Sequence, residues 1–237
     1  MNPPDAPESG PELFDKYGLS YDEALARGVS ATGEDAAFYL RERVAWFGDA
    51  LRRRGMLVPR VLDFGSGTGS AARFLLTLPG AHDVLGIDVS EGLLDRARAD
   101  HQTTQIQFAS IATHRADASF DAAYCNGVFH HIPPAERADA VALVHASLRP
   151  GGLFAFWENN PWNPGTRYVM SRIEFDRDAI TIPPPAARRL LATAGFEILG
   201  TTFRFFFPRA LRALRAAEPL LSRVPLGGQY QVLCRKR

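Results

Sequence analysis

The chain has 237 residues, 46% of them apolar and 22% charged, with a formal net charge of +1. That length suits one hydrophobic core with embellishments, and the near-neutral balance excludes the basic footprint of a nucleic-acid binder. Its two cysteines, Cys125 and Cys234, match no metal or redox spacing.

Residues 1–11 are rich in Pro, Glu and Ser without periodicity and read as a flexible tail. Residues 13–27 read as helical with a break at Gly18. A second helix is expected over residues 32–54, with Thr32 as its cap and Val44, Phe47 and Leu51 on one face. Residues 12–57 would thus form a helical cap on a core spanning residues 58–237. That core opens with Arg60, Val61, Leu62, Asp63 and Phe64, apolar enough for a buried parallel strand. Gly65, Gly67 and Gly69 then break it, and a helix is expected over residues 70–78.

A second strand over 84–88 ends in Asp88, and Ser90 caps a helix over 91–100. A third strand at 105–109 precedes Ser110 and Ile111, and a fourth covers 119–126, ending at Asn126. After Gly127, Val128, Phe129, His130, His131 and Ile132, Pro133 and Pro134 open a helix reaching about Leu148. Arg149, Pro150, Gly151 and Gly152 turn the chain into a fifth strand at 153–157. A rigid polar loop follows, holding Asn160, Trp162 and Arg167, within an insertion over 159–182. A helix over 183–194 stops at Gly195, and strands are expected at 196–206 and 229–234. Between them, Leu211, Leu214 and Leu220 alternate with Arg209, Arg212 and Arg215. That stretch could lie on a membrane surface, but the reading preferred is a helix crossing over the sheet. No apolar run approaches the ~20 residues of a membrane span, no secretory leader is recognised, and a cytoplasmic location is expected.

The order of these motifs resembles the class I S-adenosylmethionine-dependent methyltransferases. The glycine turn reads G-x-G-x-G with Asp63 two residues ahead, whereas the nicotinamide fingerprint is G-x-G-x-x-G, with Ser70 standing where its last glycine belongs. The F-D pair at Phe120 and Asp121, the H-H-I triplet and the L-R-P-G-G turn extend the likeness over residues 60–160. The resemblance implies an α/β, Rossmann-like, doubly wound seven-stranded sheet, mostly parallel with an antiparallel last strand. It also implies an enzyme that uses S-adenosyl-L-methionine to methylate a small-molecule acceptor on O or N, releasing S-adenosyl-L-homocysteine. No metal, nucleic-acid partner or integral membrane segment is expected, and the oligomeric state stays open.

By the same resemblance, Asp63, Gly65, Ser66, Gly67 and Gly69 would cradle the methionine part of the donor, with Asn126 beside it. Asp88 would hold the ribose hydroxyls and Val89 would underlie the adenine. Relatives often place an Asp after the third strand for the adenine amino group; Ser110 and Ile111 stand here instead. His131 falls where phosphoethanolamine methyltransferases put a histidine near the acceptor, paired with an N-terminal tyrosine, which Tyr21 or Tyr17 would supply. Imidazole titrates near neutral pH and suits a general base. Tyr17, His130, Asn160, Trp162 and Arg167 are the remaining candidates for the acceptor site, and Arg43 for reaching either ligand. Two other readings stay open: a domain that binds the donor or its product without methyl transfer, and a nicotinamide oxidoreductase.

Overall fold

A computed structural model describes residues 21–177 and 179–237. Seven strands form one sheet in the order β3-β2-β1-β4-β5-β7-β6. They are β1 (Arg60–Phe64), β2 (Asp83–Asp88), β3 (Ile106–Ser110), β4 (Phe120–Asn126), β5 (Leu148–Asn159), β6 (Phe196–Arg204) and β7 (Gln229–Lys236). The strands from β3 to β5 pair in parallel, while β7 runs antiparallel to both β5 and β6. Chain order reverses between β1 and β4, so the carboxyl ends of β1, β2 and β4 open on one crevice, where sheets of this kind bind ligands.

Each sheet face buries its own cluster. Phe47, Leu51, Val61, Leu75 and Trp157 fill one, and Leu62, Phe64, Phe129, Phe154 and Tyr230 the other. The helices are α1 (Tyr21–Val29), α2 (Ala36–Arg52), α3 (Ala72–Leu75), α4 (Glu91–His101), α5 (Arg137–Ser147), α6 (Pro164–Ser171), α7 (Pro184–Thr193) and α8 (Glu218–Leu221). Ser90 caps α4, accepting from the Leu93 amide. The cap of α2 is Asp35 rather than Thr32: its carboxylate accepts from Phe38 N–H at 2.7 Å, whereas the Thr32 hydroxyl binds the Val29 carbonyl. A charged acceptor at the N-terminus also complements the helix dipole.

Three departures from the sequence expectations shape the site. The helix after the glycine turn shrinks to the single turn α3. The loop after β5 folds into α6, with Asn163 as cap accepting from Thr166 N–H at 2.9 Å and Pro164 in the first helical turn. The stretch Arg209–Ala217 is a 3-10 segment with no buried residue, and so is not a helix packed across the sheet. Leu211, with φ of −109° and ψ of 23°, kinks the segment. Two of its arginines tie the segment to the cap, Arg215 to Glu34 at 2.8 Å and Arg209 to the Gly33 carbonyl.

Candidate active site

The glycine turn works by backbone conformation and by close approach. Gly65, Gly67 and Gly69 have φ of 72°, 53° and 77°, a region that side chains with a Cβ rarely occupy. A Cβ on Gly65 would stand 2.3 Å from Val128 Cγ2, and one on Gly69 2.6 Å from Phe108 Cζ; at Gly67 it would meet nothing within 4 Å. Asp88 latches this turn. Its Oδ2 accepts from Gly67 N–H at 2.8 Å and its Oδ1 from Ser90 N–H at 3.0 Å.

Beneath the turn is a cavity of about 440 Å³, whose lining includes Tyr21, Arg43, Asp63, Ser66, Gly67 and Asn126. Among the described residues, Asp63 Oδ2, Ser66 Oγ and Asn126 Oδ1 are buried without a hydrogen-bond partner. Buried polar atoms are nearly always satisfied, so three orphans on one cavity mark where a polar ligand belongs. Burial, with the Asp88 charge added, pushes the Asp63 carboxyl up to about 7. Gly69, Asp88, Val89, Ser110 and Ile111 are not among the cavity-lining residues. Ser110 pairs with Asp88 across β2 and β3, and Asp88 in turn holds the glycine turn.

Arg43 reaches the cavity from α2. It is 6% exposed, donating from Nε to the Tyr124 hydroxyl at 3.1 Å and from Nη1 to Gln229 Oε1 at 2.8 Å. Both partners are neutral, and among the described residues no carboxylate forms an ion pair with it. Burying a guanidinium without a counter-charge is costly, so the cavity is prepared for an anion.

On the other side of the cavity stands a four-residue cluster. His130 Nδ1 lies 2.6 Å from Glu158 Oε2, and its Nε2 lies 3.4 Å from Asp176 Oδ1. The same Asp176 Oδ1 is 3.1 Å from His131 Nε2. Glu158 is fixed from behind by the Phe129 amide at 2.7 Å. Burial opposes a charge on His130, but Glu158 and Asp176 outweigh it and push the imidazole up to about 10. Burial, then the His130 charge, hold His131 below the ordinary histidine range. Asp176 is also buried, yet its two histidine partners hold it well below the usual carboxylate range. Tyr21 stacks on Phe175 at 4.8 Å; burial, then Asp176 and Asp88, push its hydroxyl well above the ordinary phenol value.

An aromatic wall of Phe205, Phe206 and Phe207 closes the cavity. Phe205 has φ of 64°, and buried Glu218 holds the turn by accepting from the amides of all three.

The structure gathers Tyr21, His130 and His131 at the cavity, but not Asn160, Trp162 or Arg167. The Asn160 side-chain amide is spent on the carbonyls of Pro225 and Gly227, and its Oδ1 accepts from Trp162 N–H. Trp162 borders a separate shallow groove with Pro184 and Phe203, and Arg167 is exposed. Tyr17 lies outside the described residues. Sequence reasoning missed Glu158 and Asp176. Glu158 ends the apolar run of β5, the one signal that pointed to it; Asp176 follows His130 by 46 residues, with no local signal.

Residues 61–152 match the family model of a methyltransferase domain. The chain is 29% identical over 164 residues to the trans-aconitate 2-methyltransferase of Methylobacterium nodulans, covering 68% of this chain and 60% of that protein. It is also 29% identical over 149 residues to a sterol 24-C-methyltransferase of Gibberella zeae, covering 60% of this chain and 34% of that one. The chain thus spans three fifths or less of the length of these curated relatives. Among solved structures, an S-adenosylmethionine-dependent methyltransferase from Mesorhizobium loti superposes with a TM-score of 0.58 at 25% identity, over 79% of this chain and 96% of that one. The 1,6-didemethyltoxoflavin-N1-methyltransferase of Burkholderia thailandensis, solved with that compound and S-adenosylhomocysteine bound, shares the fold. Its TM-score is 0.62 at 22% identity, over 99% of this chain and 93% of that one.

Proposed function

We propose that this chain, which by its matched domain and its fold belongs to the class I S-adenosylmethionine-dependent methyltransferases, methylates a small-molecule acceptor on oxygen or nitrogen. The observation that carries the reading is the set of unpartnered buried atoms on Asp63, Ser66 and Asn126 beside the glycine turn, on a cavity that the histidine cluster also lines. When bound, the donor supplies an electrophilic methyl on a sulfonium. The protein supplies alignment, and positioning alone can lower such a barrier by roughly 7–11 kcal/mol.

The methionine end of the donor is a zwitterion, and the cavity matches it. Asp63 and Tyr124 are register partners on β1 and β4, so their side chains share a sheet face. Asp63 faces the ammonium, and Arg43, anchored on the Tyr124 hydroxyl, faces the carboxylate. Gly67 lets the backbone approach, and Asp88 takes the ribose hydroxyls while keeping the turn in place. His131, the more accessible histidine of its cluster at 11% side-chain exposure, assists removal of the acceptor's proton, with Asp176 holding its ring. Tyr21 closes the acceptor side.

The reading is tested by calorimetric titration with S-adenosylmethionine, S-adenosylhomocysteine and NAD, followed by an acceptor screen. Binding of NAD alone would overturn it, and tight donor binding without turnover on any acceptor would leave a binding domain. Arg43→Met is expected to weaken S-adenosylhomocysteine binding about tenfold or more, the worth of a charge-assisted hydrogen bond. An unchanged affinity would remove the carboxylate role.

Asp63 gives the binding a pH dependence. Its folded value, about 7, is raised from 3.8, so in the free protein the carboxyl is neutral below pH 7 and ionises above it. A cationic ammonium favours the ionised form, so donor affinity is expected to rise with pH through about 7. For a carboxyl with a raised folded value, the ligand-free fold loses this group's contribution as pH climbs from about 4 to 7. Asp63→Asn should flatten both slopes. Titrations and thermal melts across pH 5–8 check this, and parallel slopes in the two proteins would refute it.

A further inference from the structure

The histidine cluster meets the requirements of a metal site as well as those of a proton-handling group. We infer that His130 Nε2, His131 Nε2 and Asp176 Oδ1 form the protein part of a site for one divalent transition ion of the Zn²⁺ class, with a remaining position open to the cavity. This deepens the methyl-transfer reading and rests on it only for what the ion would do, not for whether it binds.

Spacing is the first support. The three ligand atoms lie within 4.8 Å of one another, with both imidazole nitrogens close to the same carboxylate oxygen, at 3.4 and 3.1 Å. Bonds of about 2.0–2.2 Å around a tetrahedral Zn²⁺ put neighbouring ligand atoms roughly 3.3–3.6 Å apart, close to both distances to Asp176 Oδ1. At 3.4 Å the contact between His130 and Asp176 is longer than the ~2.7–2.9 Å of a charge-assisted hydrogen bond, yet it fits an edge of that polyhedron.

The surroundings of His130 are the second support. Glu158 Oε2, at 2.6 Å, accepts a hydrogen bond from Nδ1–H, and Glu158 Oε1 accepts from the Phe129 amide. This fixes the tautomer whose Nε2 points at Asp176, the carboxylate–histidine arrangement that orients metal-bound imidazoles and raises their basicity. Without a metal a proton on Nε2 lies between the imidazole and the Asp176 carboxylate; a metal ion would take that proton's place and release it to solvent. Two imidazoles with one carboxylate favour Zn²⁺, Co²⁺ or Ni²⁺ over Mg²⁺, which prefers oxygen ligands.

The third support is access. His130, His131 and Asp176 all line the cavity beneath the glycine turn, so a water or an acceptor oxygen or nitrogen can complete the coordination. Three protein ligands and one open position are the pattern of reactive rather than purely structural zinc sites. An acceptor hydroxyl held there would lose its proton more readily. His131 would then assist as a ligand in the loaded protein and as a base in the metal-free one.

The test is Co²⁺ titration of chelator-treated full-length protein, followed by its visible absorption and by equilibrium dialysis. The expected result is one Co²⁺ per chain with the absorption of a four-coordinate ion, displaced by Zn²⁺ and not by Mg²⁺. His131→Ala and the near-isosteric Asp176→Asn should each lose it, with S-adenosylhomocysteine titration reporting that the variants remain folded. Absence of stoichiometric Co²⁺ in the unaltered protein, or equal binding in both variants, overturns the inference. Stoichiometric Co²⁺ without any S-adenosylhomocysteine binding would uphold the metal site and bring down the methyl-transfer reading instead.

Discussion

Asp88→Ala is expected to weaken S-adenosylhomocysteine binding by about 100-fold or more, enough to erase a micromolar calorimetric signal. Asp88 has two tasks. It accepts from Gly67 N–H and Ser90 N–H, which fixes the glycine turn against the start of α4, and in the proposed reading its carboxylate takes the ribose hydroxyls. Hydrogen bonds to a charged partner contribute about 1.5–3 kcal/mol each, so losing two or more of them accounts for the expected drop. Asp88→Asn should do nearly as badly. Both oxygens accept from N–H groups, and an amide nitrogen placed at either would set donor against donor. A variant that kept its affinity within threefold would show that the turn holds itself and that the ribose is bound elsewhere.

The fold was legible because its signals are local. Apolar runs closing on Phe64, Asp88 and Asn126, each followed within two residues by a glycine or a helix cap, report parallel strands whose carboxyl ends share a crevice. The glycines were informative for the same reason, since only a backbone at positive φ needs them. What the sequence concealed was long-range or turned on how a polar group is spent. Asp176 sits in the 3-10 turn Glu174–Asp176, and only the folding of the insertion after β5 brings it onto both histidines. Asn160 looked like a pocket residue because it is polar and precedes proline, yet its amide closes the loop over 225–227. Arg43 was visible as a cation on the cap, while its burial against two neutral partners was not. The leucine–arginine stretch was misjudged through its pattern. Apolar and basic residues in turn suggested a packed α-helix, but the stretch is a kinked 3-10 segment in which Arg209 and Arg215 hold the cap and Leu211 and Leu214 remain exposed.

His131→Ala separates the acceptor chemistry from donor binding, and it has the second large expected effect. His131 lies in the cluster on Asp176 and not on the glycine turn, so S-adenosylhomocysteine should bind the variant within about twofold of the unaltered protein. Turnover with an acceptor that must lose a proton should fall by about 100-fold or more, the range over which positioned acid–base groups act. The loss should appear in kcat rather than in donor KM, since binding the donor does not require the proton to leave. A purely structural histidine would act differently: removing it would unsettle His130, at 4.0 Å between ring centroids, and lower thermal stability and donor affinity together. Acceptor choice sharpens the comparison. An acceptor already deprotonated at the assay pH, such as a carboxylate, needs no help in losing a proton, and the variant should methylate it at close to the normal rate unless the acceptor is held through a metal ion on the cluster. Equal slowing on protonated and deprotonated acceptors in chelator-treated protein would therefore remove His131 from proton transfer and leave it a role in holding the acceptor. Selective slowing on the protonated acceptor, with donor affinity intact, is the result expected.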